Sequence, residues 1–206
     1  MRLLLASGNR KKLLELQRVA APLGVEVVQP SDVGGLPEVV EDGATFAANA
    51  AKKAISGARH AGLWTLADDS GLEVDALGGA PGVYSARYAG VHGDDEGNNR
   101  KLLRELADVP DGSRGASFVC ALALARPETG EIAHETEGRT FGRILREPRG
   151  EGGFGYDPLF EFVEEGFPAT GMVFATLSAD EKAAVSHRGR ALRALEPALT
   201  ALLGSA

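Results

Sequence analysis

The stretch Arg2-Leu3-Leu4-Leu5-Ala6-Ser7-Gly8-Asn9-Arg10-Lys11-Lys12 decides the architecture. Its apolar run reads as a buried strand from Arg2 to Ala6, and Ser7-Gly8-Asn9 as a tight turn. A helix pattern follows from Arg10 to Leu23, with Leu13, Leu16, Ala20 and Leu23 on one face. Gly24 ends it, and Val25-Glu26-Val27-Val28 is the next strand. Strand, helix, strand predicts a βαβ unit and a partly parallel sheet. Three cations in succession stand where the helix begins, against the positive end of its dipole. A strand, a glycine turn and a donor-rich helix start form a phosphate site.

Working outward, Pro30 to Gly43 is a loop rich in proline, glycine and acids, and Thr45 to Ala61 is an alanine-rich helix closed by Gly62. Trp64 to Ala67 reads as a third strand ending at the turn Asp68-Asp69-Ser70-Gly71, with Leu72-Glu73-Val74 a strand beyond it. Asn98 to Ala107 is helical. Ala116 to Ala125 and Glu131 to Arg139 read as antiparallel strands joined by Pro127-Glu128-Thr129-Gly130. A glycine-rich loop runs from Gly150 to Gly155, and a helix from about Arg188 to Leu203. Two lobes are suggested, with no linker between them.

The chain has 206 residues, 44% of them hydrophobic, enough to bury a core, and a formal charge of −7. That balance, without a long basic run, speaks against a nucleic-acid binder. An acidic protein that takes a polyphosphate needs clustered cations or a metal. The one cysteine, Cys120, lies in an apolar run and reads as a core thiol; no intrachain disulfide is possible, as in a reducing compartment. No apolar span reaches the roughly 18 residues that cross a membrane, so a cytoplasmic protein with no membrane or nucleic-acid partner is expected.

Four constellations could carry chemistry. Asn9, Lys12 and Glu15 are spaced by three on one helix edge. Asn9 could pin the loop or a phosphate, Lys12 could reach a phosphate oxygen, and Glu15 could orient Lys12; the alternative is an ordinary solvated helix start. No G-x-x-x-x-G-K-[ST] loop is present, which argues against a P-loop NTPase. Asp68-Asp69 ends an apolar strand, where alternation sends the two acids in different directions unless the chain turns. One could hold a metal or activate water, and carboxylates beside a phosphate suit Mg2+. Asn49 and Lys53, four apart on the second helix, could join that site. Of Glu38, Glu41 and Asp42, one could be a metal ligand, while Asp42 and Thr45 could cap the helix.

Gly152-Gly153-Phe154-Gly155-Tyr156-Asp157-Pro158 offers backbone approach and a ring on which a base could stack; the alternative is a hairpin with Phe154 and Tyr156 in the core. Lys182 and Ser186-His187-Arg188-Gly189 put donors where a purine keto oxygen could be met. The histidines show no zinc spacing with Cys120.

In order along the chain, Ser7-Gly8-Asn9-x-x-Lys12-x-x-Glu15, Phe46-x-x-Asn49-x-x-x-Lys53-Ala54, Ala67-Asp68-Asp69-Ser70-Gly71-Leu72, Gly78-Gly79-x-Pro81-Gly82-x-Tyr84-Ser85-Ala86-Arg87-Tyr88, Gly152 to Pro158 and Glu181-Lys182-x-x-x-Ser186-His187-Arg188-Gly189 resemble the ITP/XTP pyrophosphatase (HAM1-like) family. The resemblance implies an elongated, two-lobed α/β fold, a mixed sheet flanked by helices around a central cleft, as one domain over residues 1–206. It implies Mg2+-dependent hydrolysis of ITP, dITP and XTP to monophosphate and pyrophosphate, cleansing the nucleotide pool, by a homodimer. Carried over, Ser7, Gly8, Asn9, Arg10, Lys11 and Lys12 hold the phosphates with Lys53. Asp69 is general base and metal ligand, and Ser70 a substrate contact. Phe154, Gly155, Tyr156, Asp157, Lys182, His187 and Arg188 hold and select the base. The family's glutamate three residues before Gly43 is replaced by Val40, so its neighbour Glu41 is the expected second metal ligand. The related Maf-like pyrophosphatases have motifs that do not occur here, and a regulator that only binds nucleotide has no need of Asp68-Asp69.

Overall fold

The structure, a computed structural model, describes residues 1–203. Six strands form one mixed sheet in the order β2-β1-β3-β4-β5-β6. The strands are β1 (Arg2–Leu5), β2 (Glu26–Val28), β3 (Trp64–Val74), β4 (Gly115–Ala125), β5 (Ile132–Ile144) and β6 (Phe160–Phe162). The helices are α1 (Arg10–Ala20), α2 (Phe46–Ala61), α3 (Asp95–Glu105), α4 (Ala179–Val185) and α5 (His187–Leu203). The chain forms two compact units. The first comprises residues 1–69, 120–138 and 188 onward, the second residues 70–119 and 139–187.

The first unit is the βαβ arrangement. β1 pairs in parallel with β2 on one side, Leu3 opposite Val27, and with β3 on the other, Leu4 opposite Thr65. Leu13, Leu16 and Ala20 of α1 pack with Leu3, Leu5, Leu66, Cys120 and Leu122 and with Leu192, Leu195 and Leu199 of α5. Pro22 cannot continue α1, so the chain tightens into a 3-10 turn over Ala21–Leu23 and leaves through Gly24 at φ 69°. α2 starts at Thr45, whose hydroxyl accepts from the Ala48 amide, and stops at Gly62 in the left-handed region. Asp42 takes no part in that cap; it pairs with Lys52.

The second unit is built on aromatic packing. Phe118, Phe160 and Phe174 meet ring against ring, with centroids 4.5 to 5.8 Å apart, among Leu72, Leu102, Ile144 and Phe162. β5 pairs antiparallel with β6, Gly142 opposite Phe162. Buried Arg114 spans this unit's backbone, donating to the carbonyls of Ile144, Leu106, Val109 and Leu145.

The predicted turn at Asp68-Asp69-Ser70-Gly71 does not exist; β3 runs unbroken from Trp64 to Val74. β5 extends five residues past Arg139, and Lys182 stands in the last turn of α4.

Candidate functional site

Asn9 caps α1. Its Oδ1 accepts from the amides of Lys11 at 2.9 Å and Lys12 at 3.4 Å, and its own amide donates to Ser7 Oγ at 3.2 Å. Asn9 therefore pins the loop. Gly8, Arg10 and Lys11 are exposed. Lys12 reaches back along the helix edge and places Nζ 2.9 Å from Asp68 Oδ2.

Because β3 is continuous, its alternation sends the two aspartates to opposite faces. Asp68 is 4% exposed and sits between two cations, Lys12 and Arg188, whose Nη2 is 3.3 Å from Asp68 Oδ2. Arg188 also bonds Glu15 at 3.3 Å, closing a chain Lys12–Asp68–Arg188–Glu15. Burial alone would raise the Asp68 carboxyl, but Lys12 and Arg188 outweigh it and hold it well below the carboxylate range. Arg188, itself buried, is in turn held above its ordinary value against desolvation, chiefly by Asp68.

Asp69 faces α2. Asn49 Nδ2 donates to its Oδ2 at 3.0 Å, and Lys53 Nζ lies 3.4 Å from its Oδ1. One turn separates Asn49 and Lys53, so both address one carboxylate. Lys53 Nζ also donates to Glu41 Oε2 at 2.8 Å. Burial pushes the Asp69 carboxyl above its ordinary value; Lys53 and the Asn49 bond oppose it, and Glu41's charge adds to it. Lys53 loses to desolvation but gains more from Asp69 and Glu41, and its ammonium stays firmly charged. Asn49 does a second job: its Oδ1 accepts from the Gly43 amide at 2.8 Å and fixes the loop that carries Glu41. Val40 is exposed, so Glu41 and not its neighbour meets the cluster.

The second unit holds the other predicted residues. Asp157 is buried, accepts from the Phe154 amide at 2.9 Å through Oδ2, and pairs with Lys182 through the same oxygen. The Lys182 ammonium lies 4.8 Å from the Phe154 ring centroid. Phe154 is 40% exposed, so its ring is presented to solvent. Tyr156 turns the other way, into the core, with its hydroxyl donating to Ser85 O at 2.9 Å. His187 is buried and stacks on Phe118 at 4.9 Å.

The structure thus groups Lys12, Glu15, Glu41, Asn49, Lys53, Asp68, Asp69 and Arg188 in the first unit, and Phe154, Asp157 and Lys182 in the second. Ser70 follows Asp69 along β3 and is half-buried. Two expectations change. The sequence points to Arg188 as a base contact; in the structure its guanidinium bonds Asp68 and Glu15. Tyr156 can offer a ligand only its backbone. Asn49, Glu15 and Asp68, candidates from their spacing, all join the first cluster.

Chemically, the first cluster presents a hydrogen-bonded carboxylate with raised proton affinity beside a second carboxylate and several cations. Lys12, Lys53 and Arg188 face Glu15, Glu41, Asp68 and Asp69: three cations against four acids, a net charge of −1. A metal cation would offset that charge beside a polyphosphate.

The Ham1 family model matches residues 3–198. A dITP/XTP pyrophosphatase from Corynebacterium efficiens is 54% identical over 99% of this chain and 100% of its own length. One from Rhodopirellula baltica is 51% identical over 98% of this chain and 95% of its own. Among solved structures, a HAM1 protein from Coxiella burnetii superposes with a TM-score of 0.87 at 41% identity, covering 97% of this chain and 98% of that one. A dITP/XTP pyrophosphatase from Mycobacterium abscessus gives 0.78 at 52% identity, over 96% and 100%. From the first strand into the last helix the likeness is unbroken, and the chain belongs to the Ham1 family.

Proposed function

We propose that this protein is a nucleoside-triphosphate pyrophosphatase that hydrolyses dITP, ITP and XTP to the monophosphate and pyrophosphate, with Mg2+, clearing them from the cytoplasmic nucleotide pool. The observation that carries the reading is Asp69, a carboxylate oriented by Asn49 and Lys53, with burial and Glu41 raising its affinity for a proton. Asp69 accepts a proton from water, the water oxygen bonds to the α-phosphorus, and the bond to the bridging oxygen breaks so that pyrophosphate leaves. Raised basicity and fixed geometry both favour a general base, worth about 10²–10⁴-fold. The α1 start with Ser7 to Lys12, Lys53 and Ser70 would hold the phosphates.

The carboxylates fit a divalent ion. Glu41 and Asp69 converge on one ammonium, so both are within reach of one cation. Among the described residues no group of three histidine, cysteine or acidic side chains is arranged to hold a metal. Two carboxylates completed by phosphate oxygens and water suit Mg2+, which rarely takes an all-protein cage. Bound there, it would supply charge neutralisation for the triphosphate, offsetting the cluster's net negative charge.

In the second unit, Phe154 would stack on the base, and Lys182, fixed by Asp157, would donate to the purine 6-keto oxygen. An adenine amino group there would leave that donor unmatched, the kind of contact that rejects a wrong base strongly. His187 and the backbone of Gly155 and Tyr156 complete the surroundings, and Arg188 acts through Asp68. A homodimer, implied by the resemblance, would have twice the chain mass of 21.5 kDa by light scattering.

The test is a panel of dITP, ITP, XTP, ATP and GTP with Mg2+ and product identification. Pyrophosphate release from the first three supports the reading. Release of single phosphate, or equal use of ATP, overturns it.

A further inference from the structure

α3 holds one residue of the proposed base-binding loop by both of its backbone polar groups. The Gly155 amide donates to Asp95 Oδ2 at 2.7 Å, and Asn99 Nδ2 donates to the Gly155 carbonyl at 2.9 Å. Asp95 and Asn99 are four apart, one turn along α3, so a single helix face addresses a single residue. Gly155 has φ 61°, in the left-handed region that glycine enters without steric cost and otherwise leaves readily. Two side-chain bonds at its N–H and C=O remove that freedom.

What Gly155 fixes is the pair of residues around it. On one side Phe154 donates its amide to Asp157 and offers its ring beside Lys182. On the other Tyr156 is anchored in the core through its hydroxyl on Ser85 O. α3 is itself a firm platform: Asp94 caps it by accepting from the Gly97 amide at 2.9 Å, and buried Asn98 accepts from the Ala89 amide at 2.7 Å. The Asn99 carboxamide is oriented by need, since only its nitrogen end can meet a carbonyl; its Oδ1 is buried without a protein hydrogen-bond partner.

We propose that Asp95 and Asn99 are positioning residues for base selection: by clamping the Gly155 peptide they hold the Phe154 ring and the Asp157–Lys182 pair in one arrangement. The proposal rests on the reading that this loop takes the purine base. A preorganised ring and donor recognise the base at less entropic cost. The clamp therefore acts on the base half of the substrate and leaves the phosphate half alone.

Steady-state kinetics on Asn99→Asp, Asp95→Ala, Asp95→Asn and the same-turn control Glu96→Ala test it, with dITP and ATP as substrates and inorganic tripolyphosphate as inhibitor. Asn99→Asp keeps the size but turns an oxygen onto the Gly155 carbonyl. Asp95→Asn keeps an acceptor for the Gly155 amide. Asn99→Asp and Asp95→Ala are expected to raise KM for dITP and cut the preference for dITP over ATP, each about fivefold, as for losing one hydrogen bond. Tripolyphosphate inhibition should not move, kcat should stay within about twofold, and Asp95→Asn and Glu96→Ala should behave as the parent. Unchanged KM and preference in both disruptive variants would overturn the proposal. So would a loss of tripolyphosphate inhibition in step with KM, which signals general loosening. Failure of the unmodified protein to cleave dITP would overturn the function itself.

Discussion

Asp68 and Asp69 are neighbours in β3 and answer to different cations: Asp68 Oδ2 lies 2.9 Å from Lys12 Nζ, and Asp69 Oδ1 lies 3.4 Å from Lys53 Nζ. One is buried between two compensating charges and is structural in effect. The other is half-buried, with both oxygens directed by α2. The same substitution at the two positions should give opposite phenotypes. Asp68→Asn leaves Lys12 and Arg188 without their shared anion, and breaking a buried pair this way costs about 3–5 kcal/mol. Asp69→Asn should leave the thermal midpoint near that of the parent and remove turnover. Calorimetry paired with pyrophosphate release separates the two; similar melting losses in both variants would contradict the division.

Gly43 is predicted to be intolerant of alanine for a reason of space. A methyl group there would stand 2.6 Å from Asn49 Oδ1 and 3.2 Å from the Asn49 amide nitrogen. Asn49 would have to give up the Gly43 amide or move, and its other end holds Asp69. Gly43→Ala should lower kcat by up to about 10²-fold, the scale of a small misplacement of a catalytic group, while inhibition by tripolyphosphate changes little. Full activity in Gly43→Ala would show that Asn49 does not orient Asp69.

Cys120 should be silent towards alkylating reagents in the folded protein. It is wholly buried, and desolvation pushes its thiol up to about 12, from an ordinary value of 9.0. The folded state therefore holds the proton more tightly than the unfolded chain. This contribution to stability is complete below pH 9.0 and is lost as pH climbs from there towards about 12. Iodoacetamide mass shifts at pH 8.5, with and without denaturant, check it; rapid labelling of the native protein would refute it.

Arg114→Lys should destabilise the second unit despite conserving charge. The guanidinium serves four carbonyls, and a lysine ammonium cannot span them. With buried acceptors left unmet at about 1–3 kcal/mol each, a fall of several degrees in melting temperature is expected, with dITP kinetics unaltered below the transition.

Most of the first unit was legible because its signals are local. The leucine spacing of α1, the cap at Thr45 and the glycine stops at Gly24 and Gly62 lie where the sequence puts them. At Asp68-Asp69-Ser70-Gly71 the turn-forming residues lose to strand pairing on a buried sheet, so β3 continues where local signals predict a turn. β6, Phe160–Phe162, is three residues long, too short for any pattern to register. α4 carries a local signal in the capping box of Ser178 and Glu181. Asn49, Lys53 and Asp69 came together as the four-residue spacing suggested. The partners of Arg188 are Glu15 and Asp68, 173 and 120 residues away, and no local rule reaches that far.

The cap on α1 has one more consequence. The amides of Ser7, Asn9, Lys11 and Lys12 already have acceptors within the chain, two of them in the Asn9 carboxamide. A phosphate oxygen arriving at this helix end is a competitor for occupied donors, and Asn9 is the incumbent. Each donor it wins is exchanged for one released, so a lone phosphate gains little by docking there. If the triphosphate binds here as proposed, its several phosphates would engage more such points at once than a monophosphate could, and the Asn9 side chain would stand ready to retake its donors when the product leaves.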